Sequence, residues 1–136
     1  MILKKEYYID IDVKIEDQFP DPITTKFPIL SIVFVEKENE SGICMVYGEE
    51  NKKLEQSIKE QIKEKLNKDV KLDFINFNTE EELLTQIAYN INKPSKLLGW
   101  NIRGYDLPYI FNRIKKVLDI EVTFPDVFDC MIDNRR

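Results

Sequence analysis

The hydrophobic pattern changes abruptly between residues 96 and 118, and this change limits the possible folds more than any other feature. Residues 96–100 (K-L-L-G-W) form a short apolar run, which is typical of a buried strand. From Tyr109 onward apolar residues recur at helical spacing, and Pro108 stands where proline is favoured, in the first turn of a helix. The segment therefore predicts a strand, a polar loop and a helix in direct succession. Such strand-to-helix junctions are common ligand sites in α/β proteins.

Two polar side chains stand at the ends of this predicted loop. Asn101 comes directly after the strand, and Asp106 comes directly before Leu107 and Pro108. Taken alone, the Asp-Leu-Pro sequence favours a plain N-cap role for Asp106. A ligand role for Asp106 depends on which other groups the fold places beside it.

Residues 7–13 (Y-Y-I-D-I-D-V) supply two further acids on a predicted strand. Side chains alternate between the faces of a strand, so Asp10 and Asp12 share one face, about 7 Å apart along it. Unpaired carboxylates at that distance repel each other, and a bound Mg²⁺ or Mn²⁺ would remove the repulsion. For an isolated D-x-D sequence, two solvated acids on an exposed strand face are the more frequent explanation.

The remaining pattern alternates strands and helices. A capping-box pattern of Thr79 with Glu82 predicts the start of one helix. This order predicts a mixed α/β sheet with packed helices, built by one domain over residues 1–136. Further strands are expected at residues 29–35, 42–47 and 70–77, and a final strand or extended segment at residues 122–128. Helices are expected at residues 50–67, 80–91 and up to residue 118.

Composition narrows the function classes. The hydrophobic content of 43% and the charged content of 33% are typical of a soluble globular protein. No apolar run approaches membrane length and no signal peptide opens the sequence, so we expect no membrane partner and an intracellular location. Cys44 and Cys130 lack the spacing of a metal site and are expected to be buried thiols.

The charged residues exclude several kinds of site. The chain contains no His, which excludes His-based metal sites and Ser-His-Asp triads. The net charge of −5 argues against a strongly basic, non-specific DNA binder. It leaves open a nuclease whose acidic site holds metal ions against the phosphate. The Lys-rich stretch 52–68 is interleaved with Glu and is expected to be a solvated helix face.

With these motifs in place, the chain resembles the 3′–5′ exonuclease (proofreading) domain of family B DNA polymerases, especially those of T-even-type bacteriophages. The first family motif is D-x-E on a strand, and Asp10-Ile11-Asp12 stands in its place. The second is N-x-x-x-(F/Y)-D, which Asn101, Tyr105 and Asp106 match within G-W-N-I-R-G-Y-D-L-P-Y. The F-P-D-P sequence at residues 19–22 is also similar to that family.

The resemblance implies a fold and a reaction. The fold would be the RNase H-like mixed sheet of DnaQ-type exonucleases, flanked by helices. Asp10, Asp12 and Asp106 would be the catalytic residues and would hold two Mg²⁺ or Mn²⁺ ions. Asn101 would either contact the single-stranded 3′ end of DNA or position the motif loop. Tyr105 would pack against this substrate or beneath the metal site, although a core position for Tyr105 is equally expected. The protein would be phage-encoded and act in the cytoplasm of a bacterial host.

The sequence departs from the family at two places. Asp12 replaces a Glu, and its carboxylate reaches about 1.5 Å less far, the length of one C–C bond. The third family motif, Y-x-x-x-D, is absent, so we expect the last helix of the fold and its carboxylate to be missing. Asp126, Asp129 and Asp133 could supply an acid, but their spacing does not match the motif.

A missing helix has a structural consequence. It would expose an apolar strip, for which Ile110, Phe111, Ile114 and residues 127–131 are the candidates. A polymerase chain or a separate helix could then complete the fold. A second function remains open: a degenerate, non-catalytic exonuclease fold that binds nucleic acid or a protein partner.

Overall fold

A computed structural model describes residues 4–14 and 19–131. These residues form a mixed sheet of six strands with three α-helices packed against it. The elements in chain order are β1 (Glu6–Val13), β2 (Ile29–Glu36), β3 (Ser41–Tyr47), α1 (Lys52–Leu66), β4 (Lys71–Phe77), α2 (Glu80–Asn90), β5 (Lys96–Gly99), α3 (Leu107–Leu118) and β6 (Asp126–Asp129).

The strand order across the sheet is β4-β3-β2-β1-β5-β6. β2 runs antiparallel to both of its neighbours, and the other adjacent pairs are parallel. The carboxyl ends of β1, β5 and β6 therefore meet at one edge of the sheet. This architecture confirms the predicted α/β class and is consistent with the RNase H-like fold that the resemblance implies.

The side chains of β1 alternate between two apolar cores, one on each face of the sheet. Tyr7, Ile9 and Ile11 face a large apolar core that α2 and α3 cover. Tyr8 faces a smaller core on the other side of the sheet, where Ile58 of α1 packs. Because Asp10 and Asp12 follow the alternation of Tyr8, they stand on the α1 face, as the sequence pattern predicts.

The predicted helix starts are largely confirmed. Thr79 caps α2, its Oγ1 accepting the Glu82 amide at 3.2 Å. Asn51 caps α1 in the same way through the Leu54 amide. β6 is shorter than expected because β5 offers only four paired positions, ending at Gly99 opposite Asp129. None of the described helices is long and apolar enough to cross a membrane.

The predicted apolar strip on α3 is wrong. Ile110 and Ile114 have no exposed surface, because the apolar stripe of α3 is the face that covers the sheet beside α2. Phe111 is half-buried. Of the predicted buried thiols, Cys44 is fully buried and Cys130 is partly exposed. Residues 127–131 divide between the two faces, and Val127 packs into the large core.

A buried ion pair attaches the segment before β2 to the helices. Glu80 is 7% exposed, and its carboxylate accepts Arg113 Nη2 at 2.7 Å and the Ile29 amide at 3.0 Å. Arg113 Nη1 in turn donates to the Thr25 carbonyl at 2.8 Å. Tyr109 adds a third attachment by donating its hydroxyl to the Phe27 carbonyl. The segment that precedes β2 is thereby held against α2 and α3.

Candidate active site

The predicted site residues lie at the shared carboxyl edge of β1, β5 and β6. β1 contributes Asp10 and Asp12, and the turn after β5 contributes Asn101, Tyr105 and Asp106. β1 has a parallel strand on one side and an antiparallel strand on the other. Open α/β sheets commonly bind their ligands just outside the carboxyl ends of their strands.

The turn after β5 is unusually compact. Residues Ile102–Asp106 form one π-helical turn, closed by the Leu107 amide donating to the Ile102 carbonyl. Asn101 precedes it with a left-handed backbone (φ 55°), a conformation that Asn tolerates better than most residues. Gly104 lies so close that a Cβ there would be 2.5 Å from the Asn101 Oδ1. Single π-helical turns of this kind occur frequently at functional sites.

Asp106 does not cap α3, so the N-cap interpretation is wrong. Its backbone is already helical, and its side chain makes no capping hydrogen bond. Instead its Oδ2 accepts the Ile11 amide of β1 at 3.0 Å. The reason is that β5 pairs with β1 only as far as Tyr8, so Asp106 meets the β1 backbone further along the strand. A motif residue from the loop is thus fixed against the strand that carries the other two acids.

The charge of one carboxylate raises the pKa of its neighbour in this site. Asp106 is 5% exposed, and burial together with the charge of Asp10 raises its pKa to about 7. Burial also raises the pKa of Asp10, and Asp12 adds to the rise, whereas Lys65 opposes it. The site therefore carries more negative charge than its buried surroundings favour, which is the electrostatic condition that a bound cation relieves.

Lys65 supplies the nearest positive charge. It lies in the last turn of α1, and its Nζ is 2.7 Å from the Asp10 Oδ2. Lys65 is exposed, as the interleaved charges of the Lys-rich stretch predict, and it also pairs with an acid of the first motif. The two residues are 55 positions apart, and no local pattern distinguishes Lys65 from its neighbouring lysines.

The three acids are near each other but not gathered into a metal cluster. Within residues 4–14 and 19–131, no three His, Cys, Asp or Glu side chains are placed to hold one metal ion. Each acid instead has its own partner. Asp10 contacts Lys65, Asp106 accepts the Ile11 amide, and Asp12 accepts the Ser31 hydroxyl at 3.2 Å.

Aromatic side chains border the acids. The Tyr105 ring is half-buried and lies 5.6 Å from the Phe19 ring on one side and 5.6 Å from the Tyr109 ring on the other. Phe19 is 76% exposed. Together with Asp12, Phe19 and Tyr105 line a shallow groove of about 180 Å³. In the sequence Phe19 stands out only as part of the F-P-D-P segment, and no local pattern assigns it to the site.

Of the three acids near the C-terminus, the two that the structure describes do not join the acids of the two motifs. Asp126 is exposed. Asp129 is fully buried and is directed to the turn after β5, where it accepts the amides of Asn101 and Arg103. Asp133 lies outside the described residues.

Comparison with known proteins identifies the family of this chain. Residues 7–126 match the model of the family described as DNA polymerase family B, exonuclease domain. The DNA-directed DNA polymerase of Escherichia phage RB69 is 28% identical over 120 residues, covering 79% of this chain and 13% of that polymerase. The DNA-directed DNA polymerase of Enterobacteria phage T4 is 26% identical over 121 residues, which cover 80% of this chain and 13% of the T4 polymerase.

The chain thus spans a small part of the polymerases that it matches. The family match extends from the start of β1 to the start of β6 and includes both motifs at the carboxyl edge of the sheet. On this match and this fold, the chain belongs to the family of exonuclease domains of family B DNA polymerases.

Proposed function

We propose that this chain is a metal-dependent 3′–5′ exonuclease domain that hydrolyses the terminal phosphodiester at a DNA 3′ end. One observation carries the proposal. The Asp106 carboxylate is anchored to the β1 backbone at Ile11, directly between Asp10 and Asp12 in the sequence. This contact brings the acids of two separate motifs near the carboxyl end of β1, which supports a role for them in binding a phosphodiester and its cations.

The chemistry of these residues suits Mg²⁺ or Mn²⁺, which prefer hard oxygen ligands. Burial and the charge of Asp10 raise the pKa of Asp106, and Lys65 already stands beside Asp10 as a cation. Two bound ions would supply an activated water and stabilise the leaving 3′ oxygen. To bind these ions, Asp10 would have to give up its ion pair with Lys65, and Asp12 would have to give up its hydrogen bond with the Ser31 hydroxyl. Asp106 stays anchored by its backbone contact.

The groove beside the acids suits a single-stranded end. Phe19 and Tyr105 offer aromatic surface, and stacking of a base on such a ring contributes about 1–3 kcal/mol by alanine substitution. The exposed side chain of Asn101 begins the neighbouring turn and can donate a hydrogen bond to the terminal nucleotide. Because this recognition needs no basic patch, it agrees with the net charge of −5.

A second groove supports the proposed partner. It lies beyond the end of α1 on the same face as Asp10, has a volume of about 390 Å³, and is lined by apolar groups that include Tyr8, Leu98 and Phe128. Lys37, Lys68 and Lys96 also line it. We propose that an apolar helix with acidic flanks, from a polymerase chain, packs there.

The partner proposal has a direct test. The segment of the RB69 polymerase that follows its matched region serves as the probe, titrated against this chain by calorimetry. Binding that is lost in Leu98→Glu and kept in Ile75→Glu, an exposed residue of β4, is the expected result. No binding, or equal binding by both variants, would exclude the groove as the docking site.

The alternative function is a non-catalytic exonuclease fold that binds nucleic acid or protein. The observation that favours it is the Lys65–Asp10 ion pair, since a lysine beside the first motif can neutralise the acid permanently without a metal. Under this alternative, single-stranded DNA would bind without Mn²⁺ and would not be shortened.

Calorimetric titration with Mn²⁺ and a nuclease assay separate the two functions. We expect Mn²⁺ binding that is lost in Asp10→Ala and Asp106→Ala and kept in Asp126→Ala, an exposed acid on β6. We also expect stepwise loss of mononucleotides from a 5′-labelled single strand, with a 3′-blocked strand resistant. Equal Mn²⁺ affinity in all four proteins would refute the metal site.

A further inference from the structure

Asp129 is a buried acid that the proposed reaction does not use. It is the last residue of β6, and its side chain has no exposed surface. Its Oδ1 accepts the Asn101 amide at 2.9 Å and the Met131 amide at 3.0 Å. Its Oδ2 accepts the Arg103 amide at 3.0 Å. Both carboxylate oxygens are thus engaged by the turn that carries the second motif.

The turn needs an acceptor at this place. The first amides of a helical turn have no partner within the turn, and leaving them buried and unpaired is costly. A carboxylate satisfies the Asn101 and Arg103 amides together, because each of its oxygens can accept more than one hydrogen bond. Hydrogen bonds to an ionised acceptor are also roughly twice as strong as neutral ones. An Asn at position 129 would offer a single acceptor oxygen.

The position of Asp129 is itself well fixed. The Cys130 amide donates to the Gly99 carbonyl at 2.8 Å, which joins the end of β6 to the end of β5. The Arg103 guanidinium donates to the Val127 carbonyl at 2.6 Å, a second bond between the turn and β6. The pairing of β5 with β6 therefore fixes the position of Asp129, and Asp129 in turn fixes the start of the turn.

The two ends of the turn are held by different groups. Asp129 holds the start, at Asn101 and Arg103, and the Ile11 amide holds the end, at Asp106. Between them the chain has little freedom, since Gly104 packs directly on the Asn101 side chain. If the start were released, Asn101 would lose its position, and Asp106 would be held only through the Ile11 contact and α3. Displacements of about 1 Å at a reacting centre can cost roughly a hundredfold in rate.

We propose that Asp129 is a positioning residue that sets the geometry of Asn101 and Asp106 without binding metal or substrate. The proposal rests on the proposed function of those residues. It assigns a role to an acid outside both motifs, whose carboxylate accepts the backbone amides of Asn101, Arg103 and Met131.

The test compares Asp129→Asn with a control that weakens the fold elsewhere. Val127→Ala removes part of a half-buried side chain from the same strand and leaves the Asp129 carboxylate in place. Both proteins are studied with a chelator and then with Mn²⁺, at a temperature where each is fully folded. Amide resonances of Ile11, Asn101 and Arg103 are recorded in the chelated proteins, followed by Mn²⁺ affinity and kcat on single-stranded DNA.

In Asp129→Asn we expect upfield shifts of the Asn101 and Arg103 amide protons, a moved Ile11 resonance, and at least tenfold weaker Mn²⁺ binding. Val127→Ala is expected to keep the wild-type resonances at these positions and the wild-type affinity. If Asp129→Asn keeps the Ile11 resonance and the Mn²⁺ affinity, or if Val127→Ala loses as much, the role of Asp129 is only structural. A wild-type chain that does not bind Mn²⁺ would instead refute the proposed function, and the positioning role would fall with it.

Discussion

The Asp106 carboxylate accepts the Ile11 amide at 3.0 Å, which joins the second motif to the strand of the first. Burial and the nearby charge of Asp10 raise the pKa of Asp106 to about 7, although the hydrogen bond from the Ile11 amide opposes the rise. The folded chain therefore holds a proton on Asp106 more tightly than the unfolded chain does. This difference makes the proposed site a source of instability that depends on pH when no metal is bound.

The first prediction is that Asp106→Asn stabilises the metal-free chain at high pH. A carboxyl whose pKa is raised on folding costs nothing below its unfolded value, near 4, and costs progressively more until the pH passes about 7. The amide removes this cost and can still accept the Ile11 amide. At pH 8 with chelator we expect a gain of up to about 4 kcal/mol in the free energy of unfolding by urea, and little difference at pH 4.5.

Asp119→Asn is the control, since that side chain is 92% exposed at the end of α3. It should leave the pH dependence unchanged. A loss of stability at pH 8 in Asp106→Asn would show that the ionised carboxylate is a favourable partner in the fold and would contradict the prediction.

The second prediction is that Lys65→Met increases Mn²⁺ affinity, by about tenfold, an increase equal to 1.4 kcal/mol of binding free energy. In the wild-type chain a metal must displace the ammonium that lies 2.7 Å from Asp10, whereas the Met variant has no charge to displace. Calorimetry at pH 7.5 measures the change. Lys63→Met is the matched control, because Lys63 lies on the same helix and pairs with the exposed Asp69. Weaker binding in Lys65→Met would indicate that the lysine supports the metal site.

The third prediction concerns the shorter acid of the first motif. Asp12→Glu lengthens the side chain by one methylene, and we expect it to speed the Mn²⁺-dependent release of mononucleotides several-fold. The physical reason is that the shorter Asp12 side chain reaches only as far as its hydrogen bond with the Ser31 hydroxyl. Activity lower than wild type would mean that the site is built around Asp. If neither protein releases mononucleotides at high concentration, the non-catalytic alternative is supported.

The sequence predicted the parts of this site that depend on local periodicity. Alternation along β1 placed Asp10 and Asp12 on one face, and the apolar run before Asn101 located the strand end. It did not predict the contacts of Lys65 with Asp10 or of Asp129 with the turn, because both join segments far apart in the chain. The cap assigned to Asp106 was wrong for a related reason. The π-helical turn that displaces it has no signature in residue type or spacing.

The apolar surface shows the same limit. Periodicity correctly identified the stripe on α3 but could not say whether the sheet or a missing helix covers it. In the structure the sheet covers Ile110 and Ile114, and the open apolar surface lies on the other face, around Leu98 and Phe128.

The fourth prediction concerns the aromatic border of the site. Phe19 is 76% exposed and lies 5.6 Å from the Tyr105 ring, so Phe19→Ala removes stacking surface and little of the fold. Binding is measured in Ca²⁺, which should hold the DNA without efficient cleavage. We expect Phe19→Ala to bind single-stranded DNA about tenfold more weakly, because it loses the stacking of one base. Mn²⁺ affinity should stay at the wild-type value. Ile23→Ala is the control, being 77% exposed in the same segment. Fluorescence anisotropy of a labelled strand measures both, and an equal loss in the control would place the DNA elsewhere.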